Sequence, residues 1–150
     1  PASIYGANDH FDEERSHVIP LLIKDIYKAK TDNLKNVLIK TNPEKLREFL
    51  YVDDLARACI FLMNVPETKE NKKLQFLNIG TGKSIKIRDL AKLVKKIVGF
   101  KGKIFWDIKQ PEGMPKKILD VTRIQSIGWN HQTELEEGIK KTYEWFLRKK

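Results

Sequence analysis

The sequence predicts an α/β domain in which helices pack on a small mixed sheet. Short β-branched and aromatic runs alternate along the chain with stretches whose apolar residues recur at helical spacing. Glycine or proline stands at the ends of several of those stretches, where a helix must stop. At 150 residues and 41% apolar content, the chain has the size of one ordinary domain and enough apolar surface for a real core.

The elements follow in order. From His17 to about Thr31, Val18, Leu21, Leu22, Ile26 and Tyr27 recur at helical spacing, and Pro20 is tolerated in the first turn because its missing N–H has no partner there. Residues 36–40 (NVLIK) and 48–52 (EFLYV) have the composition of strands, with a turn at Asn42-Pro43 between them. Asp53 stands where an N-cap is expected for a second helix carrying Leu55, Ala58, Cys59, Leu62 and Met63, which stops near Pro66. Residues 67–73 read as a charged surface loop, and residues 74–79 as a strand running into Gly80-Thr81-Gly82. A helix is expected over 87–98, ended by Gly99, and a short strand over 103–106. A brief helix over 122–127 closes at Gly128, and Thr133 with Glu136 suggests a capping box for a last helix over 134–148.

Composition narrows the function classes. No run of about 18 apolar residues is present, and the start, Pro1-Ala2-Ser3-Ile4-Tyr5-Gly6, lacks the pattern of a signal peptide, so a cytoplasmic protein is expected. Cys59 stands alone in an apolar run and reads as a small buried side chain. A first residue other than Met suggests a chain cut from something longer, although processing gives the same start. The net charge of +9 points to an anionic partner, or simply to a lysine-rich solvated surface. The lysines are scattered, without an Arg-rich block or a nucleic-acid-binding motif, which argues against nucleic acid.

Four motifs carry candidate chemistry. Gly80-Thr81-Gly82-Lys83-Ser84 invites a phosphate-loop reading, but the P-loop pattern needs glycine where Leu77 stands and the dinucleotide fingerprint needs it where Ile85 stands. A tight strand-to-helix turn is the better reading. Residues 47–54 (REFLYVDD) put the Arg47 guanidinium beside a strand and two carboxylates at the head of a helix. Arg47 suits a diphosphate, or else a surface salt bridge with Glu48 or Asp54, while the two aspartates suit helix capping. His17, just ahead of a helix, suits proton transfer or plain capping. The loop 109–117, with three lysines among turn formers, reads as a phosphate clamp or an ordinary basic loop. No histidine, cysteine and carboxylate cluster suggests a metal.

Taken in order, residues 4–11 (IYGANDHF), 16–22 (SHVIPLL), 47–54 (REFLYVDD), 78–94 (NIGTGKSIKIRDLAKLV) and 109–123 (KQPEGMPKKILDVTR) resemble the C-terminal part of the extended short-chain dehydrogenase/reductase family, in its GDP-L-fucose synthase branch. The resemblance extends over nearly the whole chain. It implies a substrate-binding part without its Rossmann core, from an enzyme that uses NADPH to convert GDP-4-keto-6-deoxy-D-mannose to GDP-L-fucose by epimerisation at C3 and C5 and reduction at C4. It further implies that Pro1, Ala2, Ser3 and Ile4, together with His17, line the nicotinamide side of NADP(H), and that His17 is the proton donor in epimerisation. Arg47 would bind the GDP diphosphate, and Glu112 and Lys117 would meet the nucleotide. The whole enzyme would be a homodimer. Residues 47–54 and 78–82 alone fit UDP- or dTDP-sugar epimerases equally.

The departures from the pattern are specific. Asp25 stands where the family has arginine, Lys40 where it has a stacking tryptophan, Glu112 where it has aspartate and Ala7 where it has proline. These place Asp25 and Lys40 in the nucleotide pocket with altered chemistry. Lys86 replaces the usual Ser or Thr N-cap, a loss of about 1 kcal/mol. The glycine fingerprint, the Tyr-x-x-x-Lys pair and the cysteine acid/base of the family are not found; four residues after Tyr5, Tyr27, Tyr51 and Tyr143 stand Asp9, Thr31, Leu55 and Leu147. The chain alone is therefore expected to be inactive.

Overall fold

The computed structural model describes residues 1–12, 16–66, 76–108 and 114–149, which form seven short strands and five helices. Strand β1 (Ser3–Tyr5) pairs in parallel with β4 (Phe49–Tyr51), and β2 (Asn36–Ile39) in parallel with β6 (Lys103–Trp106). Strand β3 (Leu46–Arg47) lies between β5 (Ile85–Lys86), antiparallel to it, and β7 (Lys116–Lys117), parallel to it. The sheet content is thus mixed, as expected, but divided among three small pieces.

Helix α1 (Val18–Thr31) buries Ile19, Leu22, Ile23 and Ile26 against α3 (Ile87–Val98), which buries Leu90, Ala91, Val94 and Val98. Helix α5 (Leu135–Arg148) closes this larger core with Ile139 and Phe146. In α3 the apolar stripe recurs every three or four residues, and Gly99 ends it in the left-handed conformation at φ +76°, which costs glycine nothing. A smaller core joins Ala2, Leu50, Ala58 from α2 (Val52–Asn64), Ile124 from α4 (Thr122–Ser126) and Trp129. Gly138 sits where α5 passes Tyr5, and a Cβ there would lie 2.2 Å from the Tyr5 hydroxyl. Gly138→Ala is therefore expected to cost roughly 1–3 kcal/mol despite alanine's better helix propensity, read as a lowered melting temperature.

Several expectations are corrected. Helix α2 starts at Val52 with Tyr51 at its N-cap, so Asp53 lies inside the first turn rather than capping it. Helix α5 starts at Leu135 with Glu134 at its N-cap, and Thr133, buried, instead donates its backbone N–H to Asp54. Residues 76–79 form neither strand nor helix, and Leu74 and Gln75 of that expected strand lie outside the described residues, as do residues 67–73. Cys59 is exposed, not buried, because α2 packs through Leu55, Ala58, Phe61 and Leu62 and leaves Cys59, Ile60 and Met63 on its outer side. On α1, Val18 and Leu21 are only half-buried, because the buried stripe runs through Ile19, Leu22, Ile23 and Ile26.

Candidate functional site

The three-stranded sheet is the centre of the site. Strand register sets Arg47 beside Lys117 on parallel β7 and beside Ile85 on β5. Register neighbours project from the same face, so the Arg47 and Lys117 side chains leave the sheet on one side. Arg47 Nη1 donates to the Leu46 carbonyl at 2.8 Å and reaches the Pro115 carbonyl at 3.5 Å, which fixes the root of the fork. A fork has five donors, so most of its hydrogen-bonding capacity is left for an anion. Lys117 is exposed. The alternative reading of Arg47, a surface salt bridge with Glu48 or Asp54, finds no such pair among the described residues, because both carboxylates are buried inside the protein.

Glu48 and Asp54 are the residues that motif reading undervalued. Glu48 is 2% exposed and its carboxylate accepts three backbone N–H groups: Thr81 at 2.6 Å, Gly82 at 2.8 Å and Leu119 at 2.7 Å. The Gly80-Thr81-Gly82 turn, with Gly82 at φ +69°, is thus an anion-binding nest filled by the chain's own carboxylate. That is why it is no phosphate loop. Asp54, 1% exposed, accepts from Arg57 Nη2 at 2.6 Å and from the N–H groups of Gln132 and Thr133 at 3.0 and 2.9 Å. Burial pushes its carboxyl up, but these hydrogen bonds outweigh burial and hold it below the usual carboxylate range. The available signal was a pair of carboxylates, Glu48 and Asp54, flanking the apolar run Phe49-Leu50-Tyr51-Val52.

A second feature lies along α1 and β2. A hollow of about 570 Å³ is lined by Val18, Leu21, Asp25, Leu38 and Lys40, among others. Asp25 and Lys40, the two departures from the family pattern, therefore share one hollow. Leu38 in it is 53% exposed. Asp25 Oδ1 lies 4.0 Å from Lys24 Nζ. His17 is the exposed N-cap of α1 and makes no side-chain cap hydrogen bond. It precedes Val18, at the end of α1 from which the hollow begins, but neither His17 nor Arg47 lines the hollow itself.

The remaining predicted residues divide. Ala2 is buried and gives its N–H to the Ile79 carbonyl, and Ser3 gives its N–H to the Glu48 carbonyl, so both backbones are spent inside the fold. Pro1 is exposed, and Ser3 and Ile4 are half-buried. Glu112 lies outside the described residues. Burial, followed by nearby Tyr51 and Asp54, pushes the Tyr5 phenol well up.

Comparisons with known proteins agree with one another. A putative GDP-L-fucose synthase 2 from Arabidopsis thaliana is 43% identical over 147 residues, covering 98% of this chain and 43% of the relative. The GDP-L-fucose synthase of Escherichia coli (strain K12) is 41% identical over 151 residues, covering 98% and 47%. The crystal structure of a GDP-6-OMe-4-keto-L-xylo-heptose reductase from C. jejuni superimposes with a TM-score of 0.88 at 29% identity, covering 99% of this chain and 52% of that one. The chain thus spans less than half the length of these curated relatives. The model of the NAD dependent epimerase/dehydratase family matches residues 1–80, and the chain belongs to that family.

Proposed function

We propose that this chain is the C-terminal, substrate-side part of an NADPH-dependent epimerase-reductase that acts on a GDP-4-keto-6-deoxy sugar and yields GDP-L-fucose. The observation that carries this reading is the pairing of Arg47 with Lys117 on adjacent strands, two cations set to grip a diphosphate. The names of the relatives, GDP-L-fucose synthases at 41 to 43% identity, supply the guanine and the sugar. In this reading Arg47 and Lys117 hold the diphosphate, Glu112 approaches the nucleotide, and Asp25 and Lys40 line the hollow where the family places an arginine and a tryptophan. His17 donates the proton that epimerisation beside a ketone requires.

NADP(H), when bound, supplies the hydride that reduces the C4 ketone. The described residues do not fit its phosphates. The one glycine nest among them is filled by Glu48, and the N–H groups of Ala2 and Ser3 are engaged within the fold. Of the residues expected on its nicotinamide side, Pro1 and His17 are exposed and Ser3 and Ile4 are half-buried. The cofactor and the second surface of the sugar cleft therefore belong to the other half of a full-length, dimeric enzyme. The outer side of α2, with Ile60 at 62% and Met63 at 85% exposure, supports a covering half.

Calorimetric titration of the chain with GDP, UDP and dTDP tests this reading, with GDP expected to bind tightest. Tighter UDP or dTDP binding would move the chain to a sibling branch of the family. Retention on random DNA tighter than binding of GDP would remove it from sugar chemistry. Incubated with NADPH and the keto sugar, the chain alone is expected to form no GDP-L-fucose, and product formation would overturn the half-enzyme reading.

A further inference from the structure

We infer that Glu48 is the positioning residue of the diphosphate grip, holding Lys117 in register beside Arg47 through backbone hydrogen bonds rather than through any contact with ligand. This rests on the reading of Arg47 and Lys117 as the residues that bind phosphate.

The sheet that presents those two cations is slight. Strands β5, β3 and β7 are two residues each, and Met114, Pro115, Lys116, Lys117 and Ile118 are all exposed. Apolar packing on this segment resumes only at half-buried Leu119 and buried Val121. Two-residue pairing is too short to be stable by itself. Glu48 supplies what the sheet lacks. It follows Arg47 directly, and strand alternation sends the guanidinium to one face and the carboxylate to the other. Inside, Oε2 accepts the Leu119 N–H, two residues beyond Lys117, while Oε1 accepts those of Thr81 and Gly82, shortly before β5. One carboxylate thus ties down both strands that flank Arg47.

The local sequence is built around that carboxylate. A Cβ on Gly80 would lie 2.2 Å from Glu48 Oε1, so only glycine leaves room for it. An amide in its place has one oxygen and an NH₂ group, and the NH₂ would face a backbone donor on one side or the other. Glu48→Gln should therefore release either the turn at residues 81–82 or the segment at Leu119, and the two cations should lose their common register.

The test is GDP titration of the wild-type chain, of E48Q and of E48D, at a temperature where all are folded by circular dichroism. A Val94→Ala variant, whose buried site lies in the larger core, serves as a stability control. E48Q is expected to weaken GDP binding about tenfold or more, and E48D, which keeps the charge but has a shorter reach, by less. Val94→Ala is expected to lower the melting temperature with GDP affinity within about twofold of wild type. In ¹⁵N spectra of E48Q, either the amide protons of Thr81 and Gly82 or that of Leu119 should move upfield, together with the Lys117 resonance. Wild-type GDP binding that survives unchanged in folded E48Q and E48D overturns the inference and leaves the diphosphate reading intact. Failure of the wild-type chain to bind GDP sinks the diphosphate reading, and this inference with it. Should neither variant fold, amide exchange in the wild-type chain decides: slow exchange at residues 81, 82 and 119 is expected, and exchange at the rate of free amides contradicts the role of Glu48.

Discussion

Arg47→Ala is expected to weaken GDP binding by about 2 kcal/mol, roughly 30-fold in Kd. A charge-assisted hydrogen bond to an anion is worth more than a neutral one, and the fork can make two at once. The guanidinium is also anchored in advance, since Nη1 already donates to the Leu46 carbonyl at 2.8 Å. Less side-chain freedom is then lost on binding. Arg47→Lys keeps the charge and loses the fork, so about half of that loss is expected to remain. Calorimetry at two salt concentrations separates the contributions, because the part that depends on charge alone shrinks with added salt. Equal affinity in wild type and R47A would remove Arg47 from the site.

Asp54→Ala is expected to cost about 3 kcal/mol of stability, a drop of roughly 10 °C in melting temperature. The substitution deletes a carboxylate that is 1% exposed and leaves the buried Thr133 N–H without its acceptor. It also frees Arg57, whose side chain is 42% exposed, so the lost ion pair is partly screened and contributes the smaller share. The wild-type protein carries the same interaction as a pH dependence. Burial raises the Asp54 pKa, hydrogen bonds from Gln132, Arg57 and Thr133 lower it, and the net direction is down. A folded-state pKa below the unfolded one, about 3.9, means that the unfolded chain binds the proton more tightly. The stabilisation is then complete above that unfolded value and is lost as pH falls through the folded one. Thermal unfolding followed from pH 7 to pH 2 should show a decline at the acid end that D54A lacks. A D54A protein with the wild-type midpoint at pH 7 would contradict the bridging role.

How much of this was legible in the sequence follows the range of the interactions involved. Helix α3 was readable to the residue, Ile87–Val98 with Gly99 after it, because period, stripe and stop signal are all local. Strands β2 and β6 were readable from composition. The two-residue strands β3, β5 and β7 were not, because they exist only through pairing between residues far apart in the chain. The capping error at Thr133 has a long-range cause. Asp54 and Thr133 are joined across 79 positions, and that long-range bond takes precedence over the local capping pattern. Cys59 was misread because an apolar run in a helix records what could be buried, not which side finds a partner. Arg47 and Lys117, two of the residues proposed from the family pattern, do stand together, whereas Glu48 looked like a surface ion-pair partner until its three N–H donors were seen.

If Arg47 and Lys117 act as one diphosphate grip, adding GDP to the ¹⁵N-labelled chain perturbs the Arg47 Nε–H and Lys117 amide resonances together. Both are expected to shift along one saturation curve, with a midpoint equal to the calorimetric Kd, and inorganic pyrophosphate should reproduce the effect. GDP saturation that leaves both resonances unmoved while those of residues 18–41 shift would place the diphosphate elsewhere and contradict the account.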